Sequence, residues 1–137
     1  MAALVGPRAA TVARDSRDFV RDVAANVKIF QGALVCLSAT GYATPGATAT
    51  TLIADGVAQA TVDNSTGAAG ALQVSVKKGT YRFNNSSAGD LITRTEIGKD
   101  CYVVDDQTVA KTDGGTTRSK AGRVVDVDSV GVWVKFD

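Results

Sequence analysis

The sequence predicts an all-β chain: a small β-barrel or β-sandwich with an extended N-terminal arm. Three observations carry this reading. From Val23 onward, apolar residues recur in short runs, several with a period of two. Glycine, asparagine and aspartate clusters punctuate those runs at short intervals. The first 22 residues have a different texture, with Arg8, Arg14, Arg17 and Arg21 set among Asp15, Asp18 and Asp22. The domain organisation that follows is an arm over 1–22 and a β-domain over 23–137.

In the arm, Arg-Asp recurs at 14–15, 17–18 and 21–22. On a helix, Arg14, Arg17 and Arg21 would share one face. Val12, Phe19, Val20 and Val23 supply too little apolar surface for an independent helix. The segment reads either as a solvated terminus or as an arm ordered by another chain. The second reading makes Arg14, Arg17 and Arg21 the contact cations and Phe19 the apolar anchor, because arginine presents a planar fork to carboxylates.

The body begins with Val27–Phe30 and Ala33–Leu37, which flank Gln31-Gly32. Thr40-Gly41 signals a turn, with Tyr42-Ala43 as a short return strand. Leu52–Ala60 reads as a strand with a bulge at Gly56, and Asp63–Gly67 as a polar turn. Leu72–Lys77 alternates cleanly and predicts one buried and one wet face. Tyr81–Phe83 alternates again. Thr93-Arg94-Thr95-Glu96 has capping-box spacing, and Gly98 limits it to one turn. Cys101–Val104 and Thr108–Lys111 form a hairpin, Thr112–Ser119 a loop, and Arg123–Val127 with Val132–Phe136 the last pair. The candidates for core or interface burial are Leu34, Cys36, Leu72, Val74, Val76, Tyr81, Phe83, Val103, Val125, Val132 and Trp133.

Composition narrows the function classes. Hydrophobic residues make up 45% of the 137-residue chain and charged residues 21%, as in a folded globular domain. The formal net charge is +1, without the basic excess of a dedicated nucleic-acid binder. No run approaches the roughly 20 apolar residues needed to span a bilayer, and the N-terminus lacks the apolar core of a signal peptide. Neither nucleic acid nor membrane is an expected partner, and synthesis in a cytoplasm, with both cysteines as thiols, is the default.

The chain has no histidine, hence no Ser-His or Cys-His pair and no imidazole ligand. Cys36 and Cys101 cannot close a zinc site alone; they read as small apolar core residues. Asp126–Gly131 begins like a calcium loop but lacks the third acid and the distal glutamate, so it reads as a β-turn. Asp105-Asp106 reads as a hairpin turn, Gly67–Gly70 and Asp113–Gly115 as loops, and Lys77-Lys78 as a solvated strand end. No catalytic, cofactor-binding or metal-binding residue is assigned, and the expected class is non-enzymatic.

Two stretches carry a family likeness. Val27–Val35 followed by Gly41-Tyr42-Ala43, and the stretch 98–136 (GKDCYVVDDQTVAKTDGGTTRSKAGRVVDVDSVGVWVKF), resemble the capsid decoration, or cement, proteins of tailed bacteriophages. The likeness covers most of 23–137 and leaves the arm unmatched. Its motifs are glycine turns, alternating strands and a closing Gly-Val-Trp-Val hairpin. The resemblance implies a β-domain that assembles as a homo-oligomer, dimer or trimer, on the outside of the phage head. Its partner there would be the phage major capsid protein. It further implies a virion protein made in the host bacterial cytoplasm. The alternatives are a tail, neck or fibre component of the virion, or a small bacterial ligand-binding β-module, which would need an exposed aromatic platform.

Overall fold

Leu34–Leu37 is apolar at every position, although a strand with one wet face should alternate. The computed structural model, which describes residues 2–8 and 10–137, gives the reason. This strand lies inside a sheet that is covered on both faces.

The strands in chain order are β1 (Asp18–Asp22), β2 (Val27–Ile29), β3 (Leu34–Leu37), β4 (Ala43–Pro45), β5 (Ile53–Ala58) and β6 (Val62–Asn64). They continue as β7 (Gln73–Lys77), β8 (Thr80–Phe83), β9 (Asp100–Val103), β10 (Val109–Ala110), β11 (Lys120–Val127) and β12 (Val132–Lys135). One five-stranded sheet has the order β1-β7-β5-β3-β4, a second β10-β9-β11-β12-β8, and β2 pairs with β6 in a two-stranded ribbon. All the strand pairs are antiparallel. The fold is all-β and sandwich-like rather than a closed barrel.

The first sheet is the middle layer. Leu34, Cys36 and Val57 point to the second sheet and pack with Phe83, Val103, Val124, Val132, Val134 and Phe136. Val35, Ala58, Val74 and Val76 point the other way and pack with Val23, Ile29 and the partly buried Val27 and Val62 of the ribbon. Consecutive residues of β3 thus serve different cores. In the larger core Phe83 meets Phe136 edge to face, with ring centroids 5.8 Å apart.

Several expectations hold. The β3–β4 hairpin turns at Ser38–Gly41, where the Ser38 carbonyl accepts the Gly41 amide. β9 pairs with β10, and β11 with β12. The bulge near Gly56 is real: Val35 pairs with Gly56 and Cys36 with Ala54, leaving Asp55 as the extra residue. A Cβ on Gly56 would lie 2.6 Å from the Lys77 carbonyl oxygen, so only glycine fits. Thr93–Glu96 forms the capping box on a single 3-10 turn, Arg94–Glu96.

Others are corrected. Residues 18–22, assigned to the arm, form β1 in register with β7, Phe19 opposite Val76 and Arg21 opposite Val74. The helical face drawn through Arg14, Arg17 and Arg21 is therefore absent. The exposed, strandless segment ends at Arg17. β2, for which the sequence names no partner, pairs with β6.

Four core candidates are not fully buried. Leu72 lies one residue before β7, beyond the cover of the ribbon, and is 43% exposed. Val125 is the extra residue of a second bulge, between the pairs Val124–Val134 and Asp126–Trp133, so Val124 takes the inward place. Trp133 stands between inward-facing Val132 and Val134 and so faces outward, half-buried beside Arg82. Tyr81 is partly buried at the edge of the larger core.

Two predictions follow from this packing. Leu34→Ala, in the middle of the larger core, should cost about 2–5 kcal/mol. Leu72→Ala, at a half-exposed site, should cost under about 1 kcal/mol. Chemical denaturation of the two variants checks the difference. The second concerns Glu96, whose carboxylate accepts the Thr93 amide at 2.7 Å and the Thr93 hydroxyl at 2.8 Å. Led by the backbone bond, these interactions hold its pKa at about 2, below the ordinary 4.5. Protonation is therefore harder in the folded state. The capping contribution is complete above the unfolded value and is lost as pH falls through about 2. Glu96→Gln should be less stable than wild type at neutral pH, and the gap should close on acidification toward that value, read as thermal midpoints across pH.

Candidate interaction surface

The sites of possible chemistry resolve into structural roles. Among the described residues no cluster of three or more Cys, Asp or Glu side chains is placed to hold a metal ion. Cys36 and Cys101 are free and buried, and burial pushes both thiols up to about 12. Neither is a ready nucleophile. Asp128 closes the β11–β12 turn: its carboxylate accepts the Val130 and Gly131 amides at 2.8 and 2.9 Å and the Trp133 indole N–H at 3.0 Å. These bonds, the indole first, lower its pKa. The Asp113–Thr117 loop is pinned at its base by Arg118, which reaches Asp90 at 3.2 Å and the Thr112 carbonyl at 3.1 Å.

The concentrated electrostatics lie where β1 joins the middle sheet. The Asp55 side chain is 3% exposed. An acid at that depth needs cations and donors. Arg21 grips it with both prongs, Nε to Oδ2 at 2.7 Å and Nη2 to Oδ1 at 2.9 Å. Lys78 approaches from the end of β7, its ammonium 3.1 Å from Oδ1 and 3.0 Å from the Asp55 carbonyl oxygen. The Lys78 amide in turn donates to the Arg17 carbonyl at 2.7 Å, which continues the β1–β7 pairing.

Phe19 sits beside this trio. The Arg21 guanidinium lies 4.5 Å from its ring centroid, that of Arg14 4.9 Å, and the Lys78 ammonium 5.8 Å. The ring quadrupole thus shares three cations. Of the four arm residues singled out from sequence, Arg14, Phe19 and Arg21 meet here. Arg17 lies apart, on the rim of a neighbouring cleft. Arg21 is engaged within its own chain rather than offered outward.

Two clefts share Lys78 as a wall. One, about 320 Å³, lies between β5 and β11 and is lined by Leu52, Ala54, Asp55, Lys120 and Gly122 among others. The other, about 410 Å³, has Phe19, Gly79 and Phe136 for lining, with Arg17, Lys78 and Lys135 around it. N-terminal to both runs the arm. Residues 2–8 and 10–18 are exposed throughout, Leu4, Val5 and Val12 included. The chain's surface is 8010 Å². A compact monomer of this mass exposes about 6,700 Å², and the arm accounts for the direction of the excess.

Asp55 and Lys78 escaped the sequence reading. Lys77-Lys78 reads from sequence as a solvated strand end, whereas the Lys78 side chain is only 18% exposed and paired with Asp55. The usable signal was Asp55 itself, a lone acid beside the bulge glycine inside an otherwise apolar run.

Comparison of the chain with protein-family models, curated proteins and solved structures yields no match in any of the three. Among the described residues, no helix is long and apolar enough to cross a membrane.

The trio predicts an asymmetry. Arg21→Met leaves the Asp55 carboxylate buried with one cation, and should cost about 3 kcal/mol. Asp55→Asn leaves Arg21 and Lys78 free to swing toward water, being 27% and 18% exposed, and should cost about 1–2 kcal/mol. Denaturant midpoints of the two variants measure the order.

Proposed function

We propose that this chain is a non-enzymatic virion structural protein, a capsid decoration protein that binds the outside of a phage head and stabilises the coat lattice. The observation that carries the reading is the arm: a segment exposed at 2–8 and 10–17, bearing Leu4, Val5, Arg8 and Val12, tied at its base to a β-body with two packed cores. Apolar side chains on an extended segment gain nothing in water and gain area on a partner. The family resemblance of residues 27–35, 41–43 and 98–136 supplies the identity of that partner, the major capsid protein.

The physical task is linkage. A protein that binds the assembled shell, and not its free subunits, stabilises the shell by the free energy of binding. Body and arm touching different coat subunits raise the effective concentration of each contact. Exposed ion pairs contribute only about 0–1 kcal/mol each, so the arm acts through several contacts, and salt weakens it. The near-neutral net charge lets copies crowd on one surface without strong mutual repulsion.

The test is addition of the purified protein to particles that lack it, followed by electron microscopy and gel quantification. The expected result is hundreds of copies per head and shells that survive greater heat. A few copies at a neck or fibre, or no binding, would overturn the assignment. A variant without residues 2–13 keeps β1 and should remain folded while binding shells more weakly, the loss shrinking at high salt. Full-strength, salt-insensitive binding by that variant would remove the arm from the interface.

A further inference from the structure

On the outer face of the second sheet two cations stand side by side. Arg123 of β11 and Lys135 of β12 are directly opposite in register, and both are exposed. Like charges in that relation destabilise a sheet. Among the described residues, neither has an ion-pair partner. Their row continues to Thr80 of β8, opposite Lys135, and to Asp100 of β9, opposite Arg123. Asp100 is the acid of the row, and its Oδ1 is taken by the Lys120 ammonium at 3.3 Å. Asp137 lies two residues beyond Lys135 and is ion-paired with neither cation. The next row toward the turn is Arg82, Trp133 and Asp126. Trp133 is half-buried, with the Arg82 guanidinium 5.7 Å from its ring centroid, and Asp128 accepts its indole N–H at 3.0 Å. The face thus has acids beside Arg82 near the turn and unmatched cations one row further on.

We propose that this face binds an extended acidic segment of another protein, with carboxylates on Arg123 and Lys135 and an apolar side chain laid on the Trp133 ring. A sheet that keeps two cations opposed and unpaired gives up stability for which the fold itself shows no return, and sites of that kind are where function is expected. The arginine offers a planar fork to a carboxylate and the lysine a point charge. The indole supplies apolar area one row away. A carboxylate segment needs countercharge only where its acids fall. A nucleic-acid strand would run its phosphates past Asp126 and Asp128 as well, and would find one ring where strand binders line up several. The acid pairs of this chain itself, at 105–106 and 126–128, sit in tight turns closed by their own carboxylates, not in extended segments. The occupant is therefore a different chain.

The inference stands apart from the phage assignment, since the partner is defined by its chemistry and the test uses no shells. Trp133 is the single tryptophan of the chain, so its emission reports on this face directly. Titration of the full chain with poly-glutamate at low salt should change that emission to saturation, and added salt should weaken the binding. Lys135→Glu should weaken it about tenfold, and Arg123→Gln by less. Lys28→Glu, on the β2–β6 ribbon, makes the same charge change as Lys135→Glu and should leave binding as it was. Lys135→Glu also turns a like-charge pair into an opposite-charge pair. Its thermal midpoint should therefore rise while its binding falls, a combination that damage to the sheet does not give; should it fail to fold, Arg123→Gln carries the test. An emission that ignores poly-glutamate overturns the proposal, as does equal loss from Lys28→Glu and from the variants on the face. Tighter binding of an oligothymidine than of poly-glutamate overturns the choice of a protein partner. Emission that changes with the concentration of the chain alone, and no longer does so in Lys135→Glu, would make a second copy the occupant and overturn it equally.

Discussion

The structure depends on one constraint: the middle sheet has no wet face over its centre. An antiparallel sheet with both faces covered cannot alternate, and β3 accordingly runs Leu34-Val35-Cys36-Leu37 with its first three residues fully buried. Everything around it answers to that. The second sheet covers one face, and the β2–β6 ribbon with Val23 covers the other. A two-stranded ribbon is marginal alone; here it holds because Ile29 and Val62 have Val35, Val74 and Val76 beneath them. The cysteines are explained as well. At Cys36 a small apolar side chain is needed between two packed layers, and the same depth that makes it fit suppresses its thiolate.

Two-sided burial also explains why Asp55 is both possible and confined. The bulge at Gly56 inserts one residue into β5, so that Asp55 is extra to the pairing while Ala54 and Val57 keep to the larger core. β5 is the central strand of its sheet, but its pairing with β7 begins only at Val57–Lys77, so Asp55 lies beside the end of β7. There Arg21 and Lys78 can reach it while keeping their stems against the sheet. The acid in turn holds β1. That strand has one neighbour, carries Asp18, Val20 and Asp22 outward, and would otherwise rest on five residues of backbone pairing.

How far this was legible in the sequence follows from which signals were local. Leu72–Lys77 alternates, and β7 buries Val74 and Val76 as alternation demands. The hairpins at 38–42, 104–108 and 128–131 were visible because turn residues act over four positions. Bulges are invisible to strict parity, and the one at Val125 moved the inward place to Val124. The pairing of β2 with β6 was not legible either: thirty-odd residues separate the strands, and nothing in Val27–Ile29 names its partner. β1 was obscured for a related reason. Its inward residues are Phe19 and Arg21, and an arginine at an inward position reads as solvated until the acid that receives it is known. Within the candidate surface, the residue types were readable, Phe19 with its arginines, but their grouping was not, because Asp55 and Lys78 arrive from other strands.

That grouping changes what the arginines can do. A guanidinium that makes two hydrogen bonds to a buried carboxylate is fixed in place by its own chain, so Arg21 has a structural role. Arg14 is intermediate: stacked on Phe19, it keeps its fork edges open while its position is fixed by the ring. Arg17 has its backbone carbonyl bound by Lys78 and its side chain exposed at the cleft. The three arginines, three and four residues apart, thus take three roles: Arg21 is an internal clamp, Arg14 an oriented donor and Arg17 a charge at the cleft. An interaction surface built on them has a rigid side, set by Asp55 through Arg21 and Phe19, and a side that takes its order from whatever it touches. Pre-organisation of the first lowers the entropy lost on binding, and this lets an arm carrying Leu4, Val5 and Val12 add to an interface that it could not form alone.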